Sequence, residues 1–214
     1  MRAQLSANRP VVKQLWQKLV VGKIRMQGEA LRLVGKEHGA FDLLARKVRS
    51  GDPQNVEAQA ARRYWKTMFG PAFNRDRSAE GTNSLLNYGY TVLRAIASRA
   101  VCASGLHPTI GIFHANRVNA FALADDVMEP FRPVVDLLVA DIIDDGIIEV
   151  DAEAKRRLAG ITTIDLWMAD DIVSPLGVAM QKLTQSLASS FESRGVDLVL
   201  PLRPVRLARA DDDT

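Results

Sequence analysis

Over residues 10–34 the apolar side chains Val12, Leu15, Trp16, Leu19, Val20, Ile24, Leu31 and Val34 return at every third or fourth position. That spacing lays one stripe along an α-helix. Lys13, Lys18, Lys23, Arg25 and Arg32 occupy the other face, and Pro10 suits a first helical turn. The pattern predicts a long amphipathic helix whose cations lie along phosphates or in water. Gly35 and Gly39 then supply a stop, and residues 41–48 predict a shorter helix. The turn SGDP at 50–53 precedes a helix over about 55–69, where Tyr64, Trp65, Met68 and Phe69 fall at core spacing.

Residues 70–77 read as a loop that exposes Arg75 and Arg77. Thr82 or Asn83 can cap the next helix, which runs to about Ser104 and is rich in small residues that let neighbours pack closely. Asn87 and Tyr88 interrupt it with polar groups suited to holding neighbours or a ligand. GLHP at 105–108 breaks it, and His107, before a proline, reads as a structural turn residue. Residues 134–143 predict a helix ending near Gly146, followed by a short extended link at 147–150 and a short helix at 151–158. Residues 164–191 read as a longer helical region interrupted at Pro175 and Gly177. The fold class is therefore all-α: one helical domain over residues 1–200, then an extended or frayed tail over 201–214 with two prolines and the acidic triplet at 211–213.

With 214 residues, 47% hydrophobic and 25% charged, the chain can bury a sizeable core and is not disordered throughout. Cys102 is the only cysteine, which excludes an intramolecular disulfide and suits a reducing cytoplasm. The opening MRAQLSANRP has no apolar core of a secretory signal. The apolar run 134–148 is punctuated by Asp136, Asp141, Asp144 and Asp145, which excludes a membrane span there. The net charge of +3 conceals an asymmetry: residues 1–77 carry +10 and residues 78–214 carry −7. A basic first part suits a polyanion such as nucleic acid, and an acidic second part suits a cation.

The candidate chemistry concentrates in HANRVNAFALADDVMEPFRPVVD, residues 114–136. If this segment is helical, Asp126 and Glu129 emerge on one face and converge. Two adjacent carboxylates repel, and a divalent cation relieves them. With His114 the donors suit magnesium or manganese, and zinc less well because no thiolate takes part. Spacing alone equally allows carboxylates that cap amides or meet a helix dipole, and Glu57, in the first turn of its helix, needs no role beyond that dipole.

Four blocks resemble a known family: RPVVKQLWQKLVVGKIRMQ (9–27), DPQNVEAQAARRYWKTMFG (52–70), NSLLNYGYTVLRA (83–95) and GLHPTIGIFHANRVNAFALADDVMEPFRPVVD (105–136). In that order they are similar to the CRISPR spacer-acquisition integrase and endonuclease, the larger of the two adaptation proteins, in its type II form. The resemblance implies a helical catalytic domain in which Glu57, His114 and Glu129 bind Mg2+ or Mn2+, with Asp126 in an accessory role. Family members ordinarily begin with a small β-rich domain that pairs two subunits, whereas the matched blocks start where the helical domain starts. The implied partners are DNA (captured protospacer and CRISPR repeat), a second copy as homodimer and the smaller adaptation subunit, in a prokaryotic cytoplasm. Arg62, Arg63 and Arg132 are candidate DNA-binding residues by their nearness in sequence to the three ligands, and Arg132 can equally pair with a buried carboxylate. The implied reaction is insertion of foreign DNA as a new spacer, by attack of a DNA 3′-hydroxyl on a phosphodiester, with hydrolysis when water attacks. Two other readings of the residues remain: a non-catalytic helical DNA-binding or scaffold module, and a metal-dependent hydrolase of a small phosphorylated substrate.

Overall fold

In the computed structural model, residues 2–114, 118–169, 171–193 and 195–205 are described. After the short helix α1 (Arg2–Leu5), the Asn8 carboxamide accepts the Val11 N–H and Pro10 sits in the first turn of the helix it opens, α2 (Arg9–Leu33). The apolar stripe of α2 is the spine of the core, with Leu15, Leu19, Val20, Ile24 and Leu31 fully buried. Around it lie α3 (Ala40–Lys47), α4 (Val56–Phe69), a 3-10 turn (Glu129–Phe131) and α7 (Arg132–Asp144). A second layer pairs α5 (Thr82–Ala103) with α6 (Ala122–Val127), α7, α8 (Ala152–Ala159) and α9 (Leu176–Ser193). The small residues of α5 do permit close packing: a Cβ on Gly89 would stand 2.4 Å from the Val135 side chain, which only glycine avoids.

The predominantly helical class agrees with the periodicity, but the chain also holds a small sheet that the sequence analysis did not anticipate. Strand β1 (Asp165–Met168) pairs antiparallel with β2 (Val173–Pro175) on one side and β3 (Pro201–Pro204) on the other. The region expected to be helical over 164–191 is thus a hairpin followed by α9. Pro175 closes a strand, and the helix begins one residue later. Leu166 and Met168 are buried while Asp165 and Trp167 face outward, a two-residue period too brief to outweigh the helical spacing around it. The tail expected from residue 201 is likewise part of this sheet through residue 204. Pro201 and Pro204 are buried, and Leu200 packs on Gly22 of α2. Residues 206–214 lie outside the described residues.

Helix α1 fixes the loop that leads to His114. The Gln4 carboxamide donates to the carbonyls of His107 (3.0 Å) and Ile110 (2.8 Å) and accepts from the His107 N–H (2.9 Å).

Candidate active site

Each of the three candidate ligands is placed by a different local device. The Asp52 carboxylate accepts the N–H groups of Val56 (2.9 Å) and Glu57 (3.0 Å), so the first turn of α4 is held by an acid five residues before Glu57. Pro130 turns the chain into the 3-10 segment immediately after α6, and Glu129 begins that segment against α2.

His114 ends the loop GIFH, which wraps around Asp126. That carboxylate, fully buried, accepts from the backbone N–H groups of Ile112 (2.5 Å), Phe113 (3.1 Å) and His114 (3.2 Å) and from His114 Nδ1 (2.6 Å). Gly111 is required by this wrapping, because a Cβ there would lie 2.2 Å from the His114 carbonyl and 2.9 Å from Asp126 Oδ2. Phe113 in turn stacks on Trp16 of α2, with centroids 4.3 Å apart and planes 3° from parallel.

Glu57, His114 and Glu129 meet at one cavity of about 270 Å³, together with Lys23, Gln27, Arg75, Arg77, Tyr90, Arg132 and Asp136. Lys23 Nζ stands between the two carboxylates, 2.6 Å from Glu57 Oε1 and 2.5 Å from Glu129 Oε2. Arg132 Nε pairs with Glu129 Oε1 at 2.7 Å. Burial opposes the charge on Glu129, but Arg132 and Lys23 overcome it and bring its pKa down to about 2. Burial also opposes the Lys23 ammonium, and Glu129 and Glu57 more than offset this, leaving its pKa raised. The hydrogen bond to Asp126 raises the His114 imidazole pKa. Asp136 is different. Burial lifts its carboxyl to about 7, against the pull of the Tyr90 hydroxyl that donates to it and of Arg132.

Asp126 and Glu129 do not converge on one point, contrary to the expectation from their spacing. Helix α6 ends at Val127, and the 3-10 turn breaks the phase between them, so Asp126 faces the GIFH loop and Glu129 faces Lys23 and Arg132. Among the described residues no three His, Cys, Asp or Glu side chains stand in a ready coordination geometry. Lys23 spans the carboxylates, and the His114 ring is turned to Asp126 through Nδ1. The donor chemistry nonetheless fits a hard divalent ion. Two carboxylates already gather around a positive charge, and the buried Glu129 Oε2 lacks a well-directed hydrogen bond although the ammonium is 2.5 Å away. The imidazole has one nitrogen fixed by a carboxylate, the arrangement that orients a metal-binding histidine.

Arg62 and Arg63 do not line this cavity. Arg62 is exposed, and Arg63 pairs with Glu37 at 2.6 Å on the surface. Arg132 does line it, paired with the buried Glu129. Lys23, Arg75, Arg77, Tyr90 and Asp136 are site residues that the sequence analysis did not assign. The legible signal was Asp136, a single acid in the otherwise apolar VVDLLV of α7, where Val134, Val135 and Val139 are all buried.

No helix among the described residues is long and apolar enough to cross a membrane. The family model for CRISPR associated protein Cas1 matches residues 2–163. A CRISPR-associated endonuclease Cas1 from Neisseria meningitidis serogroup C is 42% identical over 148 residues, which cover 68% of this chain and 48% of that protein. Solved structures share the fold, among them two that are 20% identical to this chain. A casposase bound to integration product has a TM-score of 0.75 at 20% identity, covering 92% of this chain and 66% of that one. The other, a partial Cas6-RT-Cas1–Cas2 complex, scores 0.71 at 20% identity, covering 91% and 70%. The chain spans about half the length of the curated relatives it matches. With three quarters of its length matched by that family model, the chain belongs to the Cas1 family of CRISPR-associated proteins.

Proposed function

We propose that this chain carries the catalytic site of a metal-dependent DNA endonuclease and integrase that inserts captured DNA into a CRISPR array. The observation that carries the proposal is the meeting of Glu57, Glu129 and His114 at one cavity whose remaining charged wall is basic apart from Asp136. Family membership and the relative named as an endonuclease support the same chemistry.

Glu57, His114 and Glu129 would hold Mg2+ or Mn2+. When bound, such an ion lowers the pKa of an attacking hydroxyl and offsets negative charge on the phosphate and the leaving oxygen. Asp126, through Nδ1, keeps the His114 ring in one tautomer and fixes the loop that carries it. Arg132 holds Glu129 ionised, so that carboxylate keeps its charge across the physiological range. In the reaction a DNA 3′-oxygen bonds to phosphorus, the phosphorus bond to the repeat strand's leaving oxygen breaks, the hydroxyl proton passes to solvent, and the leaving oxygen takes up a proton from solvent to depart as a hydroxyl. Water in place of the 3′-hydroxyl gives hydrolysis. Arg62 and Arg63, outside the cavity, would extend phosphate contact along the basic first part of the chain. A second copy and the smaller adaptation subunit are the proposed protein partners, and the Cas1–Cas2 complex that shares this fold supports the latter.

The test is incubation of the purified protein with Mn2+ and a labelled branched or double-stranded DNA. Nicking or joining that needs Mn2+ and disappears in Glu57→Ala, His114→Ala and Glu129→Gln, with circular dichroism unchanged, is the expected result. Binding without cutting would overturn it in favour of a scaffold module, and wild-type turnover by any of the three variants would remove the ligand assignment.

A further inference from the structure

A larger cavity, about 640 Å³, adjoins the catalytic one and shares Arg75, Arg77, Tyr90, His114 and Arg132 with it. Arg75, in the segment between α4 and α5, is held with unusual care. Its Nη1 donates to Asn83 Oδ1 (2.9 Å) and the Asp76 carbonyl (3.1 Å), and its Nη2 donates to Asn87 Oδ1 (2.7 Å). Asn83 and Asn87 lie one turn apart on α5, and their own amide N–H groups grip the same segment, at the carbonyls of Asn74 (3.1 Å) and Arg77 (2.8 Å). The guanidinium lies 5.5 Å from the centroid of the Tyr90 ring, which Arg132 also approaches at 4.6 Å.

These two arginines differ in one respect. Glu129 neutralises Arg132, whereas among the described residues no carboxylate stands within ion-pair distance of Arg75. All three acceptors of Arg75 are neutral, and three of its five N–H donors are used, leaving Nε–H and one N–H on Nη2. Half-buried, it also bears a desolvation penalty that holds its pKa below the ordinary arginine value. A rigid guanidinium that makes no ion pair among the described residues and feels the Asp136 charge only at longer range, at the boundary of a cleft that leads to the carboxylates, calls for an anion with paired oxygens.

We propose that Arg75, with Arg77 beside it, is a phosphate-binding subsite for the DNA strand, gripping a backbone phosphate next to the one that reacts. The inference rests on the function proposed above and assigns the strand's anchor to a segment that the metal ligands do not include.

The test measures binding of a fluorescein-labelled DNA duplex by anisotropy, in EDTA and across a NaCl series. Arg75→Ala should weaken binding about 10-fold at low salt and flatten the slope of log affinity against log salt by about 1, the signature of one lost phosphate contact. Arg75→Gln removes the charge but keeps a polar side chain and should show the same slope change with an unchanged circular-dichroism spectrum and melting temperature close to the parent's, which separates charge from folding. Arg75→Lys should retain the slope and recover part of the affinity. Manganese binding, followed by calorimetry, should be unchanged in all three. If the neutral variants keep the wild-type slope and affinity while the wild type binds and nicks the duplex, this inference falls and the proposed function stands. A wild-type chain that does not bind the duplex at all overturns both.

Discussion

Replacing Lys23 with Met keeps a side chain of similar length and removes the ammonium that stands 2.6 Å from Glu57 and 2.5 Å from Glu129. Glu129 bears the larger consequence because its side chain is only 5% exposed. In the intact site, burial favours its neutral form, yet Arg132 and Lys23 bring its pKa from 4.5 to about 2. A depression of that size corresponds to ~3 kcal/mol, shared between the two cations with Arg132 the stronger. Removing Lys23 should therefore cost ~1 kcal/mol from this source, and repulsion between the two carboxylates should raise the total to ~2 kcal/mol. For a chain of this size that is a fall of roughly 4–8 °C in melting temperature without metal. The sign with pH follows from the depressed pKa. Stability from ionised Glu129 is present above pH 4.5 and is lost as pH falls through about 2, so the variant should lose less stability on acidification than the parent. Manganese should act in the opposite direction. With the ammonium gone the ion has no competitor for the carboxylates, so it should bind at lower concentration and raise the melting temperature of Lys23→Met more than that of the parent. Thermal unfolding by circular dichroism across a Mn2+ series measures both effects. A variant that melts with the parent in EDTA and takes up manganese at the same concentration would refute the role of Lys23 as occupant of the ion's position.

Asp126→Asn replaces one of two oxygens that together accept four N–H bonds with a donor, and should destabilise the fold by ~3 kcal/mol. It should lower the rate of strand cutting more than DNA affinity, measured by single-turnover nicking beside anisotropy, and equal losses in both would contradict a role through His114. Asp136 has its carboxyl raised from 3.8 to about 7 by burial, so between those values the folded chain holds a proton that the unfolded chain has released. Stability should therefore fall by up to ~4 kcal/mol as pH rises through that window. Asp136→Asn should flatten this dependence in urea unfolding at pH 5 and pH 7.5, and an unchanged difference between the two would contradict the shift.

The helices were legible because α2 and α4 repeat apolar residues at helical spacing, Pro10 fits the first turn of α2, and a candidate capping residue followed by small side chains marks α5. The sheet was not, because β1 and β2 are four and three residues long and lie against a helix whose period dominates any window. The carboxylates and the imidazole were identified through motif resemblance, and spacing on its own misled: Asp126 and Glu129, three apart, face different partners across the end of α6. Lys23 reads in sequence as one more cation on a polar helix face. Its side chain is only 12% exposed because α4 and the 3-10 turn bring Glu57 and Glu129 over it, a tertiary fact with no local signature. Arg75 was visible as a loop arginine, but its fixation by Asn83 and Asn87 depends on how that loop folds back over α5. Asn87 had a local trace, as a polar interruption of a helix otherwise rich in small residues.

The central claim is that Glu57, His114 and Glu129 come together on one divalent ion, with Lys23 giving way. Anomalous diffraction at the manganese edge, from crystals grown with Mn2+, locates the ion directly. The predicted map has a peak within coordination distance of oxygens of Glu57 and Glu129 and of a His114 nitrogen, with the Lys23 ammonium moved out from between the carboxylates. A map with Lys23 still spanning Glu57 and Glu129, and manganese elsewhere or absent, would contradict it.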